Sequence, residues 1–234
     1  MGYPTLKEEQ KLWQKGYKVV ACIDEVGRGP LAGPVVACAA TISNFKFLIS
    51  SQLFKNSKLK IKNLNLRDSK KLSPKQREEF YKLFVNHPAI EWGIGRVYPQ
   101  VIDRINIYQA TKLAMQRAFM NLNHKLQKNH HITKSCYSKK RLYIDFLILD
   151  GNMKLEVPIL QTSIVKGDEK VFSCAIASII AKVKRDRAMK RYHKTYPEYG
   201  FDAHKGYGTP QHLAMLKKYG SCPIHRKSFA PCNI

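Results

Sequence analysis

The chain of 234 residues is long enough for one ordinary domain with a real core. With 44% hydrophobic and 25% charged residues it is not composed like a disordered chain, and it holds no run of about 18 apolar residues that would span a membrane. Lys and Arg number 41 against 17 Asp and Glu, a net charge of +24. That balance points to a nucleic-acid partner. A basic surface kept for solubility or for anionic membranes is the competing reading, but no amphipathic anchor or lipidation signal accompanies it.

The start, MGYPTLKEEQKLW, lacks an apolar signal-peptide core. Thr5 and Lys7 leave its Met-Gly opening without a myristoylation motif. A cytoplasmic location is expected, and with it six reduced cysteines. Cys22, Cys38 and Cys174 sit in apolar runs and read as small buried hydrophobes. The spacing of Cys222, His225 and Cys232 fits no standard zinc finger.

Residues 17–24 (YKVVACID) form the first predicted strand, short and rich in Val and Ile. A Gly- and Pro-dense turn, EVGRGPLAGP, leads into a second buried strand over 35–42, so the two are expected to pair antiparallel. Residues 44–66 are irregular and lysine-rich, an exposed basic loop. Ser73-Pro74 is an N-cap followed by Pro at the first helical position, predicting a helix over 75–86. Residues 91–97 read as a strand. Residues 99–126 form the strongest helix of the first half, and a second basic loop follows near 124–142. Its His130-His131 pair reads as a solvated face.

Residues 143–150 (YIDFLILD) and 159–165 are two more strands. A long helix over 172–192 carries a buried stripe of Ile176, Ile179, Ile180 and Val183. The tail is rich in Gly, His and aromatics. Strands first, then helices alternating with strands, describe an α/β domain on a mixed sheet.

In so basic a chain, acids at the ends of apolar strands need explaining. Asp24 and Glu25 end the first strand, Asp150 ends FLILD, and Asp168 follows SIV within Lys-Gly-Asp. Strand ends are where α/β sheets gather their sites. Four converging carboxylates repel, and oxygen-only ligands suit Mg²⁺ or Mn²⁺. Taken singly, Asp150-Gly151 is an ordinary turn and Asp168 a helix cap. The adjacent pair Asp24-Glu25, beside Gly27-Arg28-Gly29, is harder to explain that way. Glycines there let backbone N–H groups approach a phosphate or sugar.

Taken together, several segments resemble bacterial ribonuclease HII. They are DEVGRGPLAGPVV at 24–36, DSKKLS at 68–73, LDGN at 149–152, KGD at 166–168, ASIIAKVKRD at 177–186, YGFDAHKGYGT at 199–209 and HRKSFAP at 225–231. They occur in the family's order and run nearly end to end. The basic loops look longer than is typical. About twenty residues precede the first strand, which argues against the related ribonuclease HIII with its additional N-terminal domain.

The resemblance implies an RNase H-like fold, a mixed central sheet flanked by helices. It implies one catalytic domain over 1–234, including a C-terminal helical extension from about 190. It implies an endoribonuclease acting on RNA–DNA hybrids and on single ribonucleotides embedded in duplex DNA. Asp24, Glu25, Asp150 and Asp168 would be an acidic tetrad holding two Mn²⁺ or Mg²⁺ ions, and the products would carry 5′-phosphate and 3′-hydroxyl ends. Gly27, Arg28 and Gly29 would hold the ribonucleotide, and Tyr207 would stack on the next deoxyribose; unaided, the residues make Tyr207 a loop aromatic covering the core. Lys70, Lys182 and Arg226 are candidate phosphate contacts or ordinary surface charges. Asp145 is a weaker rival to Asp150, and Asp186 reads as an ion-pair partner on its helix. The protein is expected to act as a monomer, away from membranes. Two other readings stand beside the enzyme: a non-catalytic basic nucleic-acid-binding module, and a DNA nuclease of related fold.

Overall fold

The computed structural model describes residues 3–42, 66, 72–129 and 142–232. Five strands form one sheet in the order β3-β2-β1-β4-β5: β1 Val20–Val26, β2 Val35–Ile42, β3 Ile90–Val97, β4 Phe146–Asp150 and β5 Leu160–Ile164. β1 pairs antiparallel with β2, and β2 with β3, while β1–β4 and β4–β5 are parallel. The sheet is mixed, as the alternation of elements predicts, and β1 lies on the seam between its two halves.

Strand periodicity sorts the core. Ala21, Ile23, Val35, Ala37, Ala39, Leu147 and Leu149 face one long helix, α3 (Pro99–Asn129). Val36, Cys38, Ala40 and Ile42 face the opposite layer, made by α2 (Pro74–Asn86) and α4 (Phe172–Thr195). β2 is buried along its whole length, so it reads as a continuous apolar run rather than an alternating one. On β3, Gly93 and Gly95 let α3 rest on the sheet backbone: a Cβ at Gly95 would fall on Ala114 O.

The predicted N-cap of α2 is present. Ser73 Oγ accepts from Gln76 N at 3.2 Å, and the Gln76 side chain accepts from Ser73 N at 2.9 Å, which closes a capping box. α3 is broken at Asn106 (φ 62°, ψ 167°), whose Oδ1 accepts from Gln109 N and restarts the helix. Helix continues to Asn129, into the stretch expected to open the second basic loop. The rest of that loop, with His130 and His131, and the loop over 44–65 lie outside the described residues. The stripe of Ile176, Ile179, Ile180 and Val183 on α4 is buried as expected.

Two features went unpredicted. A short helix, α1 (Lys7–Gln14), packs at the sheet's lower end, and its buried Glu9 accepts from both N and Oγ of Ser173 at 2.8 Å. The carboxylate thereby serves the open N–H groups at the start of α4. Cys22 on β1 and Cys174 on α4 are also joined as a disulfide, with Cα atoms 5.0 Å apart, where reduced thiols were expected. Both sulfurs project from facing elements into one apolar pocket with Val20, Ile148 and Val171. After α4 the chain makes short turns and a last helix, α5 (Pro210–Tyr219). Among the described residues no helix is long and apolar enough to cross a membrane.

Candidate active site

Ile23 on β1 stands opposite Leu149 on β4 in the parallel register, so Asp24 and Asp150 follow side by side where the pairing of the two strands ends, two residues before the end of β1 and at the last residue of β4. Period two puts both on the α4 face, in line with Cys22 and Ile148. The turn after β5 brings in the third acid. Lys166 adopts the left-handed conformation (φ 57°), Gly167 donates its N–H to Asp150 Oδ1 at 2.7 Å, and Asp168 follows on a single helical turn. Asp24, Asp150 and Asp168 each offer a ligand oxygen, and these lie within 4.8 Å of one another.

Asp24 and Asp168 are buried and Asp150 is half-buried. Burial holds the Asp24 carboxyl well above the usual carboxylate range, with the charges of Glu25, Asp150 and Asp168 adding to the effect. A hydrogen bond with Ser178 on α4 opposes it, and Glu25 N donates to Asp24 Oδ1 at 2.7 Å. Three carboxylates gathered in this way need positive charge, and an all-oxygen set suits a hard divalent cation. The donor set therefore fits Mg²⁺ or Mn²⁺. Among the described residues no other group of His, Cys, Asp and Glu is gathered in this way.

Glu25 stands apart from this group. Alternation along β1 turns it to the other face, where its Oε1 accepts from Arg28 Nη1 at 3.3 Å. Burial raises its pKa, Arg28 lowers it, and Asp150 still acts on it electrostatically. Asp145 is remote: its Oδ2 accepts from the N–H groups of Lys18 and Val19 at 2.9 Å and fixes the entry to β1. Asp186 pairs with Lys182 at 2.8 Å, the ion pair that its helical position predicts.

The Gly27-Arg28-Gly29 loop leaves β1 directly beside the acids. Gly27 has φ 90°, and a Cβ there would collide with the Arg185 side chain, so only glycine fits. A Cβ built on Gly29 would stand 3.9 Å from Tyr207 Cε1, so the loop and the exposed Tyr207 ring flank one surface. Tyr207 is not the core cover that its residue type alone suggests.

The Tyr207 carbonyl is held by one histidine, which a second histidine supports. His212 Nδ1 lies 2.9 Å from Tyr207 O, His225 Nδ1 accepts from Cys222 N at 2.9 Å, and the two Nε2 atoms are 3.0 Å apart. These partners fix the tautomers. His212 carries its proton on Nδ1, and His225 donates from Nε2 to His212 Nε2. Both rings are neutral, and burial lowers the pKa of each, that of His225 to about 4.

Of the candidate phosphate contacts, Lys182 lies along α4, largely engaged by Asp186. Lys70 falls outside the described residues. Arg226 is neither a phosphate contact nor a surface charge as it stands: it is fully buried and spends its donors on backbone carbonyls. A charged residue in a polar tail reads as exposed unless its tertiary partners are known. Ser178 and Arg185 were also missed. Their signal was their place in the apolar ASIIAKVKRD helix, where a polar side chain on the buried face requires a partner.

A family model described as Ribonuclease HII matches residues 21–232. Ribonuclease HII of Bacillus cytotoxicus is 49% identical over 225 residues, covering 96% of this chain and 73% of that protein. Among solved structures, ribonuclease H2 from Pyrococcus horikoshii aligns with a TM-score of 0.64 at 24% identity, over 92% of this chain and 95% of that one. Bst-RNase HIII in complex with Mn²⁺ aligns at 0.55 and 17% identity, over 92% and 68%. These two likenesses bear on the fold, and they make the mixed sheet and its helices RNase H-like.

Proposed function

The chain belongs to the ribonuclease HII family, endoribonucleases of RNA–DNA hybrids, and on that premise we propose that it also cuts at single ribonucleotides embedded in duplex DNA. The observation that carries the reading is the convergence of Asp24, Asp150 and Asp168 at the mouth of a sheet in a chain of net charge +24. A basic surface draws in the polyanion, and the acids take up cations.

The family is metal-dependent. In this reading Asp24, Asp150 and Asp168 would hold two Mn²⁺ or Mg²⁺ ions, and Glu25, though turned to the other face, is the fourth acid, within electrostatic reach of Asp150. Ions bound there would supply an activated water and charge stabilisation for the departing 3′-oxygen of a phosphodiester. The side chains do the rest. Gly167 N–H and Ser178 orient the carboxylates of Asp150 and Asp24. Asp168, on its short turn, is suited to carrying a proton away from the site. Gly27, Arg28 and Gly29 present backbone groups to the ribose 2′-hydroxyl, the atom that separates RNA from DNA. Tyr207 lies flat against the following deoxyribose, and Lys182 meets a nearby phosphate. Cleavage leaves 5′-phosphate and 3′-hydroxyl ends. The enzyme acts as a cytoplasmic monomer and as a single catalytic domain.

A cleavage map of a duplex carrying one ribonucleotide, with Mn²⁺ or Mg²⁺, tests this. Wild type is expected to cut beside the ribonucleotide, to leave an all-DNA duplex whole, and to stop when a chelator is added. Asp24→Asn cutting as fast as wild type would overturn the assignment.

A further inference from the structure

The loop joining β1 to β2 is gripped from below by two arginines. Arg226 is fully buried; its Nη1 donates to Arg28 O at 2.7 Å and its Nη2 to Gly27 O at 2.5 Å. Nε and Nη2 also reach Gly33 O, at 3.1 and 2.9 Å. Arg185, equally buried, donates to Pro34 O at 3.0 Å, Ala32 O at 3.2 Å and Lys205 O at 3.0 Å. Among the described residues neither guanidinium forms an ion pair. Burying a cation without a counter-ion is costly. A planar fork that reaches several carbonyls at once is what arginine offers and lysine does not.

The peptide geometry says what this grip accomplishes. In a trans peptide the C=O of one residue and the N–H of the next point in opposite directions. Drawing Gly27 O and Arg28 O inward onto Arg226 turns the N–H groups of Arg28 and Gly29 outward. Those two N–H groups have no acceptor among the described residues. They belong to the surface that Tyr207 flanks.

We infer that Arg226 is a positioning residue for sugar recognition, aiming the Arg28 and Gly29 N–H groups at the ribose, while Arg185 secures the loop's return toward β2. The inference rests on the reading of residues 27–29 as the sugar sensor, and it gives Arg226 a role other than a phosphate contact. The peptide that carries Arg226 is itself anchored by Asp103, which accepts from Lys227 N and Ser228 N at 3.0 Å and from Ser228 Oγ at 2.6 Å.

The test is a ratio. Affinities for an all-DNA duplex and for the same duplex with one ribonucleotide are measured with Ca²⁺ in place of Mg²⁺, for wild type, Arg226→Lys and Asp103→Ala. Arg226→Lys keeps the charge but loses the fork, and the preference for the ribonucleotide duplex should fall about tenfold while all-DNA affinity holds. Asp103→Ala leaves the guanidinium in place and should shift the ratio less, in the same direction; it carries the test should Arg226→Lys not fold. A ratio unchanged in the folded variants, or both affinities falling by one common factor, overturns the inference. A wild-type ratio of one overturns the sugar-sensor reading itself, and the inference with it.

Discussion

Gly167 donates its backbone N–H to Asp150 Oδ1 at 2.7 Å. This bond ties the end of β4 to the turn that carries Asp168, so two of the three gathered acids are coupled through the backbone. Asp24 joins them from the neighbouring strand at an energetic disadvantage, because burial and three nearby carboxylates all oppose its ionisation. Function and stability therefore conflict at this residue. Without metal, Asp24→Asn should melt several degrees above wild type. Mn²⁺ should raise the melting temperature of wild type much more than that of the variant. Hydrolysis should fall by at least about two orders of magnitude. Calorimetry with and without Mn²⁺ checks the first two, and a variant that melts below wild type without metal would contradict the conflict.

Tyr207 shows how a surface aromatic can be fixed without being buried. Its carbonyl is held by His212, and its ring is 44% exposed beside Gly29. Tyr207→Ala leaves the backbone anchor untouched and removes only the ring. KM for a duplex with one ribonucleotide should rise about tenfold. Tyr207→Phe should stay near wild type, since the proposed contact uses the ring face. Steady-state kinetics on both variants separate a stacking role from one that needs the hydroxyl.

Glu9 is not one of the gathered acids, and it acts on stability. Its Oε1 receives both hydrogen bonds from Ser173, its Oε2 has no hydrogen-bond partner among the described residues, and burial raises its pKa. Glu9→Ala should cost about 2 kcal/mol by opening the first turn of α4. Glu9→Gln keeps an acceptor for Ser173 without burying a charge and should match or exceed wild type. Urea unfolding of the two variants decides the point.

The His212–His225 pair makes a pH prediction of definite sign. His225 has a pKa of about 4 in the fold, against 6.5 ordinarily. Between those values the unfolded chain binds the extra proton, so stability rises with pH across the window. The contribution is complete above about pH 6.5, shrinks as pH falls toward about 4, and amounts to on the order of 3 kcal/mol. His225→Gln should flatten this part of the stability curve, as followed by urea midpoints from pH 7 to pH 4.

Much of this architecture was legible because local chemistry and global fold agree. β2 has the predicted bounds, the Ser73 cap forms with its box, and the α4 stripe faces the core. The strand-end acids were visible as exceptions to a basic composition. What escaped depended on contacts remote in sequence. The burial of Arg226 depends on carbonyls near residue 30, and Cys22 meets Cys174 across a separation of 152 residues. α1 is mostly polar, and its one buried member is a glutamate, so it offered no apolar stripe to read. The turning of Glu25 away from the other acids follows from strand alternation, but only once its neighbour Asp24 is known to face α4.

The parallel seam between β1 and β4 is also the longest-range strand pairing of the sheet. β1, β2 and β3 pair in sequence order as they leave the ribosome, each with the strand just made. β4 reaches β1 only after the whole of α2, β3 and α3 has been produced, and such a distant pairing is slow. Until then Asp24 has neither Asp150 nor Asp168 beside it. The gathered set of acids is therefore complete only after Asp168 has been made and β4 has paired with β1.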